Sequence, residues 1–218
     1  MVSPALTELL DTPTLPEAFQ IIQRRLDHER ERRDIFYAEV TPDMKAEFIN
    51  GEVIMHSPAL ARHTATRRNL TALLNPFVIS RDLGIVHDEK TLCVFPRNDY
   101  EPDVVFFGPT KAATITPDTM KFPPPDFACE VLSESTEKRD RGVKFQDYQA
   151  HGVAEYWIID PVAQHVEQFV LDAAGCYSLR QKSSSGDFTS TVIPGFTIPV
   201  DAIFDEKRNL EALRRILG

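Results

Sequence analysis

The chain has 218 residues, enough for one domain with a substantial core, and its 42% hydrophobic and 26% charged residues are ordinary for a folded protein in water. No apolar run approaches the roughly 20 residues of a membrane span, and Met1 to Asp11 lacks the basic start and long apolar stretch of a signal peptide, so a cytoplasmic protein without a membrane partner is expected. Thirty-three acids against 24 bases leave a net charge of −9, which disfavours loose, non-specific adhesion to nucleic acid and leaves room only for a local basic patch.

Thr14-Leu-Pro-Glu17 has the form of a capping box, with Pro16 tolerated in the first turn. Leu15, Phe19, Ile22 and Leu26 then recur at helical spacing, and the charged run Asp27 to Asp34 prolongs the helix on a solvated face, with Glu29/Arg33 and Arg30/Asp34 as i,i+4 pairs. A hairpin follows, in which Glu47-Phe48-Ile49 and Val53-Ile54-Met55 flank the turn dipeptide Asn50-Gly51. A helix is expected from about Ala61 to Arg81, carrying Leu70, Leu73, Leu74, Phe77 and Val78; Pro76 should kink it or end it early, and Gly84 stops it. Ile85 to Phe95 reads as strand, as do Val104 to Phe107 and Phe127 to Leu132, the last two separated by a loop ending in Pro123-Pro124-Pro125.

A helix from about Thr136 to Ala150 and a buried strand from Glu155 to Ile159 complete the middle of the chain. The tail alternates in the manner of antiparallel strands, Val166 to Leu171, Tyr177 to Gln181 and Phe188 to Val192, before an amphipathic helix over Asp205 to Leu217. Cys93, Cys129 and Cys176 are widely spaced and odd in number, so neither a disulfide framework nor a C-x-x-C metal site is suggested, and the first two read as small core residues.

Two acids stand out. Asp103 opens an apolar strand directly after Pro102, and Glu130 lies inside another, sharing a face with Ala128 and Leu132. A carboxylate between apolar neighbours needs a partner, a metal or a raised pKa. On the next helix Asp140, Lys144 and Tyr148 form one i,i+4 stripe that could carry the lysine ammonium over the acids. Carboxylates on rigid strands with a lysine nearby are the parts needed to bind Mg²⁺ and activate water at a phosphodiester. Each has a plainer reading: Pro-Asp often makes a turn, and Lys144 could merely pair with Asp140 on the surface. His63, near Arg62, Arg67 and Arg68, could contact phosphate or metal, or be a surface histidine. Glu47 and Glu52 sit on opposite arms of the hairpin, and either could reach the metal. Glu155, Tyr156 and Trp157 are assigned to packing of the last strand or a subunit contact.

The run from Pro102-Asp103 through Glu130-Val-Leu-Ser133 to Lys144, Tyr148 and Gly152-Val-Ala-Glu-Tyr-Trp-Ile-Ile-Asp-Pro161 resembles the Uma-two family of putative restriction endonucleases. Glu47-Phe-Ile-Asn-Gly-Glu52, Ser57-Pro58 and His63 also match the family's opening, so the resemblance covers about Glu47 to Leu171. It implies the PD-(D/E)xK nuclease fold, a mixed α/β sheet flanked by helices, here with an antiparallel C-terminal β-extension. It further implies that Asp103 is the aspartate of the P-D motif and that Glu130 is the second metal-binding acid. Leu132 stands where the fold usually places its lysine, so Lys144 is implied to supply that charge from the helix.

The resulting expectation is one nuclease-like unit over 1–218, with a helical extension over 1–40, a core over 46–160, and the β-extension and closing helix over 164–218. It would be an endonuclease hydrolysing DNA with Mg²⁺, or Mn²⁺ as substitute, using Asp103, Glu130, Lys144 and His63, with Glu47 as a further metal ligand. A homodimer would suit cleavage of both strands, because it carries two active sites. The alternative is a non-catalytic nucleic-acid-binding or interaction module on the same scaffold.

Overall fold

The computed structural model describes residues 4–218, so the first three residues of the expected N-terminal extension lie outside it. In chain order the elements are α1 (Pro4–Leu10), α2 (Leu15–Glu39), the hairpin β1 (Ala46–Ile49) and β2 (Glu52–Met55), α3 (Ala61–Ser80), β3 (Ile85–Asp88), β4 (Leu92–Val94), β5 (Asp99–Tyr100) and β6 (Val104–Phe107). The short α4 (Pro109–Ala112) and β7 (Lys121–Phe122) lead to β8 (Phe127–Val131), α5 (Glu137–Arg139), a π-helical turn over Asp140–Lys144, and α6 (Phe145–Ala150). Strands β9 (Glu155–Asp160), β10 (His165–Leu171), β11 (Tyr177–Ser183), β12 (Asp187–Thr189) and β13 (Thr197–Pro199) precede α7 (Asp201–Phe204) and α8 (Glu206–Leu217). Among these, no helix is long and apolar enough to cross a membrane.

Two mixed sheets organise the chain. One is six-stranded, ordered β11-β10-β9-β8-β6-β3, and the other five-stranded, ordered β2-β1-β5-β4-β7. The alternation of β8 sorts its side chains between two cores. Phe127, Cys129 and Val131 face the helical layer of α3, α7 and α8, where Leu70, Leu73, Leu74, Phe77 and Ile203 are buried. Ala128 and Leu132 face the other way, into a core shared with Ile49, Cys93 and Tyr100 of the smaller sheet and Tyr148 of α6. Beyond the smaller sheet, Phe36 of α2 and Val40 just after it cover Phe48 and Leu92. Glu130 thus points into the space between the sheets. The antiparallel β10 and β11 are the C-terminal β-extension, and they prolong the six-stranded sheet beyond β9.

Several local expectations change under tertiary packing. The capping box does not close, because the Thr14 hydroxyl pairs with Thr12 Oγ1 at 3.1 Å and makes no cap to the helix. The i,i+4 pairs along α2 are replaced as well: Glu29 is buried between Arg25 and Arg97, and Arg33 reaches Asp99 at 2.8 Å. Solvated helix pairs worth ~0.3–0.5 kcal/mol yield to buried carboxylates that need a cation. The stripe Phe19, Ile22 and Leu26 remains exposed, since the first turns of α2 run past the body.

Pro76 does not end α3, which continues to Ser80. Losing one helical hydrogen bond there costs ~3 kcal/mol, whereas burying Leu70, Leu73, Leu74, Phe77 and Val78 stabilises by ~1.5–3 kcal/mol each. The run Ile85 to Phe95 is two strands. Glu89 and Lys90 both take φ of 43°, and that reversal sends β3 into the larger sheet and β4 into the smaller. The hairpin forms as expected, with Asn50 at φ 52° and Gly51 at φ 86° supplying the two left-handed positions of its turn.

Candidate active site

Sheet register places the two acids beside one another. Val104 pairs with Cys129 in the antiparallel β6–β8 ladder, so the next pair outward is Asp103 with Glu130. Asp103 Oδ2 accepts the backbone N–H of Val131 at 2.8 Å, and Oδ1 lies 3.1 Å from His63 Nε2 and 3.6 Å from Lys45 Nζ. Glu130 Oε1 accepts from Lys144 Nζ and from the Tyr148 hydroxyl, both at 2.9 Å. Lys144 reaches back from the π-helical turn, which the Tyr156 hydroxyl anchors by donating to the Asp140 carbonyl at 3.1 Å.

Glu47 enters from the other sheet. Its Oε1 lies 2.8 Å from Lys144 Nζ and accepts the Glu101 N–H at 3.0 Å, and its Oε2 is 3.3 Å from His56 Nε2. Asp140 stands 3.5 Å from the same ammonium. The structure therefore brings Asp103, Glu130, Lys144, Glu47 and His63 into one buried cluster, whereas Glu52 on the outer strand of the hairpin is exposed. Lys45 and His56 join it from positions where their own sequence neighbourhoods gave no functional signal, and Asp140 joins it with Lys144 from the i,i+4 stripe. Glu155 takes no part. It is a fully buried acceptor for Trp157, Gln168, Ser190, Thr191 and Val192, tying β9 to the loop after β12.

The cluster divides electrostatically. Burial opposes ionisation of Glu47, but Lys144 and His56 outweigh it and hold its carboxyl down at about 2. Asp103 is likewise held at about 2 against burial, by His63, Lys45 and the Val131 N–H. Burial wins at Glu130 and Asp140, pushing both carboxyls up despite Lys144. For Lys144, burial would favour the neutral amine, yet Glu130, Glu47 and Asp140 hold the ammonium protonated above the usual lysine range. Neighbouring carboxyls driven apart in this way are the arrangement that separates roles within one site.

A divalent cation fits this donor set by chemistry. Four carboxylates face two lysines, and Glu47 Oε2 and both oxygens of Asp140 are buried without a hydrogen bond. Hard oxygen donors with spare negative charge suit Mg²⁺. Among the described residues no three His, Cys, Asp or Glu side chains are gathered as a metal-holding group, and the Lys144 ammonium stands among the acids.

The sequence model of the Uma2 family, described as putative restriction endonuclease, matches residues 32–201. The chain belongs to this family. The uncharacterized protein sll1609 of Synechocystis sp. is 31% identical over 127 residues, which span 57% of this chain and 71% of that protein. The crystal structure of a putative nuclease belonging to DUF820, from Anabaena variabilis, superposes with a TM-score of 0.65 at 16% identity, over 78% of this chain and 96% of that one. The fold is therefore shared with that protein. The matched family segment contains every residue of the cluster and leaves α1, about the first two-thirds of α2, α7 beyond Asp201, and α8 outside it.

Proposed function

We propose that the chain is a metal-dependent endonuclease that hydrolyses phosphodiester bonds in DNA. Membership of a putative restriction endonuclease family supports a nuclease, and the fold shared with the Anabaena protein agrees with it. The observation that carries the reading is the β6–β8 register that sets Asp103 opposite Glu130, with Lys144 2.9 Å from Glu130 in a set of four carboxyls and two lysines.

Asp103, Glu130 and Glu47 would hold the cation, Mg²⁺ or in its place Mn²⁺. Once bound, such a cation polarises a phosphoryl oxygen and lowers the pKa of a water to the range of a usable nucleophile. The remaining steps belong to the chain. Lys144 keeps Glu47 and Glu130 together and, as a buried protonated amine, would offset negative charge developing on the phosphate. His63 orients Asp103 through Nε2 and can hold or pass a proton there, with Val131 N–H fixing the other carboxylate oxygen.

A second reading has one observation in its favour. The ammonium of Lys144 among the acids, and the lack of a ready three-ligand group among the described residues, suit a non-catalytic nucleic-acid-binding module. Cleavage of supercoiled, linear and single-stranded DNA with Mg²⁺ or Mn²⁺ separates the two, using wild type, Asp103→Ala and Glu130→Ala. Metal-dependent cutting that disappears in both variants is the expected result. Folded wild type that binds DNA but never cuts it would leave the binding module standing instead.

A further inference from the structure

Alongside the buried cluster runs a cavity of about 420 Å³, whose polar lining is Thr64, Arg67, Arg68, Thr71 and Asn75 of α3 and Asp88 at the end of β3. Both walls join it to the acids. Thr64 follows His63, which touches Asp103, and Glu89, next to Asp88, donates its N–H to the Asp103 carbonyl at 3.3 Å. The lining residues of α3 recur three and four apart, so they form one stripe ~17 Å long, against ~3.4 Å of axial rise per nucleotide in a duplex strand.

Of the polar groups here Thr71 Oγ1 is buried without a hydrogen bond, whereas the arginines are held by acids. Arg67 is ion-paired with Glu89 and stands 3.9 Å from Asp88, and Arg68 pairs with Glu206. The partners differ sharply in freedom: the Arg67 side chain is 13% exposed, whereas those of Asp88 and Glu89 are 41% and 44% exposed. A guanidinium held in place beside acids that can turn to water is prepared for exchange onto another anion.

We propose that this cavity takes the phosphodiester backbone of the DNA strand flanking the cleavage point, with Arg67 and Arg68 as charged contacts and Thr64, Thr71 and Asn75 as neutral ones. The assignment rests on the nuclease reading, because a chain of net charge −9 needs a local basic surface to hold DNA. Glu89 and Asp88 together act as a brake on the same surface, since an approaching phosphate must draw Arg67 away from them.

The test is equilibrium binding of a fluorescent DNA duplex to the full chain without added metal, followed by anisotropy from 25 to ~300 mM salt. Each phosphate contact contributes about 0.9 to the slope of log K against log salt. Arg67→Gln and Arg68→Gln should each reduce the slope by about that amount, Asp88→Asn should tighten binding, and Arg180→Gln on the opposite edge strand should change nothing. Arg68 is exposed, so its variant remains informative if Arg67→Gln folds poorly. Wild type that binds with an unaltered slope in both arginine variants would overturn the inference while leaving the nuclease reading intact. Wild type that fails to bind DNA at any salt would overturn this inference, and the nuclease reading falls with it only if Mg²⁺-dependent cutting is absent as well.

Discussion

Lys144→Met tests the electrostatics of the cluster without opening a cavity, because methionine nearly matches the lysine stem. The ammonium is 2% exposed and lies within 2.8, 2.9 and 3.5 Å of Glu47, Glu130 and Asp140. Removing it leaves three buried carboxyls with no cation between them, a change that typically costs ~3–5 kcal/mol. Against a total stability of ~5–15 kcal/mol, that is a large fraction. For a domain of this size it corresponds to a fall in Tm of roughly 10 °C. Urea unfolding with a chelator present would read the loss. Added Mg²⁺ should then recover part of it, ~2.7 kcal/mol at a hundred times its Kd, because the cation bound by these acids replaces the lost positive charge. A loss below ~1 kcal/mol with the chelator present would refute the reasoning, since the ammonium would then not be the counterion of a buried charged set.

Three further outcomes follow from residues outside the cluster. The hydrogen bond from Arg97, with help from Arg25, holds the Glu29 carboxyl at about 2, below its unfolded value, so it stabilises above pH ~4.5 and stops doing so as pH falls toward ~2. Both arginines are half-exposed, so solvent screening reduces the effect to on the order of 1 kcal/mol, and Glu29→Gln should flatten the acid limb of a stability–pH curve by that amount. Gly51→Ala should destabilise by ~1–3 kcal/mol in thermal unfolding, because φ is +86° and the new Cβ would meet Glu29 Cγ at 2.7 Å. Glu155→Ala strands donors from Trp157, Gln168, Ser190, Thr191 and Val192 and should cost ~3–5 kcal/mol in chemical denaturation. It should leave DNA binding by the folded fraction unchanged.

How much of this was legible in the sequence depends on the range of the force involved. Asp103 and Glu130 could be read because an acid beside or within an apolar run is a local contradiction. Lys144 could be read because i,i+4 spacing is local too. What separates Glu47 from Glu52 is not local: β1 is sandwiched between β2 and β5, while β2 is the edge strand, so the same residue type is buried on one arm and solvated on the other. Lys45 and His56 flank the hairpin and reach the cluster only when it closes over the loop carrying Glu101 and Asp103. The break between β3 and β4 was invisible because Glu89 and Lys90, not glycine or asparagine, adopt the left-handed conformation. The three-residue β13 is too short for an alternating pattern to register, and Val192 instead donates to Glu155.

The lysine that faces Glu130 comes from a helix, and this relaxes a conflict within β8. A strand that carries both an acid and a lysine two residues later must turn two polar side chains into one core face. Here position 132 is leucine, buried beside Ile158 and Tyr148, so that face loses only one position to polarity. Packing demands and charge demands are divided between two elements that can drift independently. A pattern defined along a single strand would pass over such a chain, although the ammonium arrives at the carboxylate all the same. What selection can act on is then a point in space, and several sequence positions are able to supply it.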